Sequence, residues 1–120
     1  MFRNIKNYFN KKNLKDKKYL YLFEDSQIKD EYVCFDCETT GLNPKKDDII
    51  SIGAVIIKDN TIISSKKFVK FIKPKTKLQA EAIKVHHIRE CDLNNANDID
   101  LIILDFLEFI GNRTLVGYFL

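Results

Sequence analysis

The strongest constraint on the fold is the run IISIGAVII (49–57), closed by Lys58-Asp59-Asn60 and followed by TIISSKKFVKFI (61–72). Two runs rich in β-branched residues, joined by a tight turn, predict paired antiparallel strands. A third strand precedes them. YVCFDC (32–37) is short, aromatic and β-branched, and GLNPKKDD (41–48) links it onward through the breakers Gly41, Asn43 and Pro44. Three strands with short links make an antiparallel meander. The Lys/Phe spacing of the third breaks strict alternation and predicts a bulge. Gly53 reads as a point of close backbone approach.

After Pro74 the pattern turns helical. QAEAIKVHHI (79–88) fits a short helix, and DIDLIILDFLEFI (98–110) fits a longer one. In the second, Asp98, Asp105, Glu108 and Asn112 form one polar stripe and, Asp100 apart, the rest is apolar, so a mostly buried helix is expected. Asn97 or Asp98 caps its start, and Gly111 sits where a C′ glycine belongs. TLVG (114–117) then reads as a fourth strand. Reached through helices, it lies parallel to the first. The expected fold class is therefore α/β, a mixed sheet with an antiparallel meander, helices and a returning parallel strand. A fourth strand in the middle of a sheet needs cover on both faces. The expectation is that the N-terminal extension supplies it, or that these residues are the front part of a larger domain.

The 120 residues suit one domain. The net charge of +3 hides a division. Residues 1–23 carry seven bases and one acid, a net of +6, and residues 24–120 carry thirteen bases and sixteen acids, a net of −3. The basic surplus thus belongs to an N-terminal extension, residues 1–30. Phe2, Ile5 and Phe9 follow helical spacing there, and YLYLF (19–23) is an apolar run, which together predict one or two basic amphipathic helices packed on the body. A second basic cluster, KKFVKFIKPKTK (66–77), has six lysines and no acid. Either cluster could meet a polyanion, although solvated lysines are the plainer reading of each alone. No run approaches the ~18 apolar residues of a membrane span, and no secretory signal is present, so a cytoplasmic protein without a membrane partner is expected. Cys34 and Cys37 form a C-x-x-C, but positions i and i+3 of a strand face opposite ways. With Cys91 they read as reduced thiols rather than a metal motif.

Asp36 and Glu38 stand at the end of the first strand with one residue between them, so both point to one face. Two such charges repel and are costly to desolvate. A hard divalent cation, Mg²⁺ or Mn²⁺, takes oxygen ligands and offsets that cost. Two such ions roughly 4 Å apart support phosphodiester hydrolysis. The spacing alone is weak evidence. Its surroundings, DCETTGL, add two threonines, a glycine and a leucine directly after a strand.

This stretch resembles the first motif of the DEDD-type 3′–5′ exonucleases, in particular the proofreading epsilon subunit of DNA polymerase III and its relatives. It matches at Asp36, Glu38, Thr39, Thr40, Gly41 and Leu42. The similarity continues through NPKKDDIISIGAVII, through AIKVHHIRECDL, similar to the family's A-x-x-V-H-G-I-T, and through DFLEFIGNRTLVGYFL. It covers residues 31–120 in order and implies an RNase H-like fold. It implies that Asp36 and Glu38 are catalytic metal ligands of a two-ion Mg²⁺ or Mn²⁺ site. Thr39 and Thr40 match positions whose backbone meets the 3′-terminal nucleotide. Gly41 lets the chain turn beside the substrate, Leu42 packs on the terminal base, and His86 lies on the substrate rim. His87 stands where many relatives have glycine. Cys91, Asp92, Asp47 and Asp48 are expected to be solvated loop residues. The family's later motifs, with two further aspartates and a general-base His or Tyr, have no counterpart here. The resemblance therefore covers the N-terminal part of an exonuclease domain, with half the ligands of the site, and the stretch alone is expected to be inactive or feeble.

The implied activity is 3′–5′ hydrolysis of single-stranded DNA or RNA ends, of DNA proofreading or repair type, releasing nucleoside monophosphates. A DNA polymerase subunit is a candidate partner. The alternatives are an exonuclease that trims RNA ends, or a non-catalytic module that binds nucleic acid or a polymerase. A downstream phenylalanine-aspartate pair soon after Leu120 would favour the enzyme.

Overall fold

The computed structural model describes residues 10–25 and 28–117. Phe2, Ile5 and Phe9, on which part of the N-terminal helix expectation rests, lie outside them. The described chain forms β1 (Glu31–Thr39), β2 (Ile49–Lys58), β3 (Thr61–Phe71), α1 (Ala80–His86), α2 (Ile99–Ile110) and β4 (Thr114–Val116). The sheet order is β3-β2-β1-β4. β1, β2 and β3 pair antiparallel, and β4 runs parallel to β1 with Val33 opposite Leu115. This is the mixed sheet that the sequence pattern predicts.

The β2–β3 turn is Asp59-Asn60, and both residues have positive φ, 49° and 59°. Two such residues in a two-residue link make the mirror-image turn that matches strand twist, and Asp and Asn tolerate it best. The predicted bulge lies in β3. Pairing with β2 jumps from Ile63 to Lys67, which leaves Ser64–Lys66 out of register.

The strands alternate as strands must. Val33, Phe35 and Cys37 of β1 and Ile50, Ile52, Ala54 and Ile56 of β2 point to one face. There Ile102, Phe106 and Ile110 of α2 cover them, with Phe68 wedged between. The Phe106 ring lies 5.7 Å from that of Phe35 and 5.3 Å from that of Phe68, both tilted, the arrangement aromatic quadrupoles favour. A smaller cluster, Ile50, Leu78 and Leu93 with Ile83 and Ile88, seats α1 over the end of β2. The two cysteines behave as geometry requires: Cys37 packs against the core while Cys34 points to the opposite face, and both thiols are free.

Two expectations are corrected. α2 is not mostly buried: Leu101, Ile103 and Leu104 are exposed, and only the stripe Ile102, Phe106 and Ile110 is covered. An apolar sequence permits burial on every side, but this helix has one sheet to lie on. Gly53 does not mark a close approach, because a Cβ there would meet nothing within 4 Å. The apolar YLYLF run lies in a 3₁₀ helix (Lys17–Phe23). It rests against α2 through the Tyr21 hydroxyl, which donates to the Leu107 carbonyl at 3.2 Å. Among the described residues no helix is long and apolar enough to cross a membrane.

Candidate active site

Asp36 and Glu38 lie two residues apart on the face of β1 opposite α2, about 6.7 Å apart along the strand. Their cross-strand partners on β2 are Gly53 and Ser51. Both are small, so the sheet beside the carboxylates has a low floor. The open space over Gly53 is part of it. Asp36 is exposed and Glu38 half-buried. Neither carboxylate has a hydrogen-bond or ion-pair partner among the described residues. The other partly or fully buried acids do: Glu31, Asp47 and Asp48 all accept hydrogen bonds. Unsatisfied oxygens converging on one open face suit a hard cation. Among the described residues no group of three or more His, Cys, Asp or Glu is placed to hold a metal ion, so Asp36 and Glu38 make a pair and not a full cage. Mg²⁺ is held through one or two carboxylates and completes its shell with water and phosphate oxygens, so the pair fits it. The negative field here is felt next door: burial first, then the charges of Asp36 and Glu38, pushes the Cys37 thiol above its ordinary range.

The strand ends in a braced turn. Thr40 is completely buried, and its hydroxyl accepts from the Asp48 amide at 3.0 Å and contacts Thr76 Oγ1 at 3.0 Å. Its amide donates to the Asp48 carbonyl and its carbonyl accepts from the Gln79 amide. Asp48 in turn accepts from the amides of Lys75 and Thr76 and from the Thr76 hydroxyl, all within 2.8 Å. These donors, Thr76 above all, hold the Asp48 carboxyl below its ordinary range. Asp47 accepts from the Asn43 amide at 2.7 Å and the Gln79 side chain at 3.0 Å. Asp47 and Asp48 are therefore not solvated loop acids, which corrects the sequence reading. Asp92 is likewise engaged, accepting from the Arg89 backbone and guanidinium. Cys91 is exposed as expected.

Gly41 has no positive φ, so the turn does not need glycine for its backbone. It needs the space, since a Cβ would collide with the side chains of Gln79 and Asp47. Leu42 beyond it is 99 % exposed. The backbone groups of Thr40 are occupied inside the fold. The amides of buried Gly41 and exposed Leu42 make no hydrogen bond among the described residues. His86 ends α1 with both ring nitrogens engaged: Nε2 lies 3.2 Å from the Thr39 carbonyl, and Nδ1 accepts from the Ile88 amide at 3.0 Å. His87 takes the left-handed conformation, φ 61°, a region that favours glycine.

The sequence reading missed Asp47, Asp48, Thr76 and Gln79. No local signal marks them, because their partners lie about 30 residues away in the chain and form contacts only once α1 is docked. Two clefts lie elsewhere. The larger, about 490 Å³, is lined by Lys73, Lys75, Lys77 and Glu90, and the smaller, about 170 Å³, by Asp47, Asp48 and Lys73. Neither contains Asp36 or Glu38, which stand on an open strand end.

Comparison with known proteins agrees with this layout. The family model described as Exonuclease (RNase T) matches residues 33–119. The DNA polymerase III PolC-type of Clostridium perfringens (strain 13 / Type A) is 39% identical over 94 residues, 78% of this chain and 6% of that protein. The same polymerase of Staphylococcus haemolyticus (strain JCSC1435) is 39% identical over 87 residues, 72% of this chain and 6% of that one. The chain thus spans about 6% of the length of these relatives. Among solved structures, exonuclease I in complex with the inhibitor BCBP superposes with a TM-score of 0.67 at 16% identity, over 78% of this chain and 22% of its own. Cell-death related nuclease 4 (CRN-4) gives 0.64 at 20% identity, over 73% and 34%. These likenesses establish the fold.

Proposed function

The chain belongs to the exonuclease family, and from that premise we propose that it carries the first half of a 3′–5′ exonuclease site acting on single-stranded nucleic-acid ends, of DNA proofreading or repair type. The observation that carries the reading is the pair Asp36 and Glu38, partnerless on one open face among the described residues while the buried and half-buried acids around them are satisfied. Asp36 and Glu38 hold Mg²⁺ or Mn²⁺. Such ions supply the positive charge that makes water nucleophilic and steadies the leaving oxygen of a phosphodiester. The chain's own contribution is position. The low floor of Gly53 and Ser51 leaves room beside the carboxylates. The braced turn presents Gly41, Leu42 and their amides beside the same strand end, where a 3′-terminal nucleotide would stack on the exposed Leu42. Thr39 and Thr40 shape that turn.

Residues 31–120 are the N-terminal part of the exonuclease domain on this reading, and residues 1–30 a basic extension. The products are nucleoside monophosphates. The PolC-type names of the relatives support DNA and a polymerase context, with RNA-end trimming as the second reading. The test is a labelled oligonucleotide with Mn²⁺, given to the chain and to a form extended beyond Leu120. Shortening from the 3′ end that disappears in Asp36→Ala and Glu38→Ala supports the proposal. Equal rates in the wild type and both variants sink it.

A further inference from the structure

His86 is the one imidazole in contact with the motif turn, and its two hydrogen bonds fix its chemistry. The Thr39 carbonyl can only accept, so Nε2 must donate to it. The Ile88 amide can only donate, so Nδ1 must accept. The two bonds together require the neutral Nε2–H tautomer. Three features of the chain serve that arrangement. His87 adopts φ 61°, and this reversal brings the Ile88 amide back under the ring of His86. A non-glycine residue held in the left-handed region is strained, and such strain persists where the surroundings over-determine it. Ile88 is in turn anchored in the small apolar cluster with Ile50, Leu78 and Leu93. At the other end of α1, the Gln79 amide holds the Thr40 carbonyl. α1 therefore grips two successive carbonyls, Thr39 and Thr40, directly after Glu38.

We infer that His86 is a positioning residue of the metal site: through the Thr39 carbonyl it fixes the end of β1 and with it the direction of the Glu38 carboxylate, instead of touching the substrate. The inference rests on the reading of Asp36 and Glu38 as ligands. With both ring nitrogens occupied inside the fold, His86 has neither a free donor nor a free lone pair to offer a nucleotide. What it offers is a fixed point. A carboxylate with no partner of its own among the described residues depends on its backbone for direction; beyond the pairing with β2 and the Asp48 carbonyl, α1 grips that backbone through one imidazole and one amide. Groups that orient metal ligands from behind typically change metal affinity by 10–100-fold when removed.

Two measurements test this on the chain itself. Long-range proton–nitrogen correlation of the ¹⁵N-labelled protein at pH 8 reads the ring directly, and an Nε2–H tautomer for His86 is expected. This readout involves no metal. Mn²⁺ titration, followed by broadening of the Asp36 and Glu38 amide signals, then compares the wild type with His86→Leu and His86→Gln. The leucine variant is expected to bind Mn²⁺ about tenfold more weakly while its amide spectrum shows an intact fold. Glutamine, whose terminal amide donates from a similar position, is expected to restore most of the affinity. An Nδ1–H tautomer overturns the inference alone, as does a folded leucine variant with wild-type Mn²⁺ affinity. A wild-type chain with no Mn²⁺ broadening at Asp36 and Glu38 overturns the ligand reading beneath it.

Discussion

The two ends of β1 carry the same chemical group in opposite circumstances. At the start, Glu31 is buried and doubly paired, with Arg113 Nε at 2.8 Å and Lys58 Nζ at 3.1 Å. It ties the first strand to the end of β2 and to the chain entering β4. The Arg113 hydrogen bond, then that of Lys58, holds its carboxyl below the ordinary range. Seven residues later, Glu38 is half-buried and has no partner among the described residues. A fold able to satisfy one carboxylate so completely leaves the other open. The first holds the sheet together, and the second, on the proposed reading, is left to receive a cation from outside. The loop acids repeat the lesson, since Asp47 and Asp48 are spent on bracing the turn.

The sharpest way to break this comparison is to exchange the two ends. In the form extended beyond Leu120, Asp36→Ala or Glu38→Ala should lower exonuclease activity by more than about a hundredfold, the scale on which removing charge stabilisation acts. The thermal midpoint should stay where it is, because neither side chain has a partner to lose. Glu31→Gln should do the reverse. It leaves Arg113, whose side chain is 17% exposed, without its counter-charge. Breaking a buried pair from one side destabilises strongly. A drop of several degrees in the thermal midpoint, with activity intact in the surviving folded fraction, is the expected result. If both variants fail in the same assay, the two ends of β1 are not doing different work.

Acid sharpens the same contrast. Glu31 and Asp48 both have folded values below their ordinary 4.5 and 3.8. A depressed carboxyl contributes stability that is fully present above the unfolded value and is lost as pH falls through the folded one. Stability of the wild type should therefore decline from about pH 4.5 downward. Glu31→Gln has lost that contribution already, so its acid limb should be shallower in denaturant titrations run from pH 6 to pH 2. A limb as steep as that of the wild type would remove Glu31 from the account.

Next in size is the turn that follows Glu38. Thr40→Val keeps the shape of the side chain and removes the buried hydroxyl, which leaves the Asp48 amide without its acceptor, while the Thr76 hydroxyl keeps its bond to the Asp48 carboxylate. The expected cost is about 2 kcal/mol of unfolding free energy. It is readable as a shift in the urea midpoint with an unchanged slope.

The strands of this fold were legible because their signals are local: alternation, β-branching and an Asp-Asn turn. Their order followed from short links and one crossover through helices. Asp36 and Glu38 were legible for the same reason, since the period of two that builds a strand also puts both on one face. What the sequence could not show are relations closed across space. Nothing near Asp48 announces Thr76, and nothing in the apolar run 99–110 says which side will find a sheet. Gly41 and Gly53 make the limit plain. Gly53 looked like the crowded one and sits beside open space, while Gly41 looked like a backbone device and is a packing necessity.

The smallest effect concerns His87, and it tests the architecture from the opposite direction. Its φ of 61° costs an L residue roughly 1–2 kcal/mol, and histidine bears this somewhat better than most. Glycine removes that strain but adds about 0.5–1 kcal/mol of unfolded-state freedom. His87→Gly should therefore stabilise the chain by roughly 0.5–1 kcal/mol, raising the thermal midpoint by a few degrees. The His87 side chain is exposed and makes no bond among the described residues, so nothing else is lost with it. Because the reversal at residue 87 carries the Ile88 amide to His86, a glycine there should leave the His86 ring tautomer as it is. A variant that gains stability but loses the tautomer would show that the left-handed turn was held in place by the imidazole, and not the imidazole by the turn.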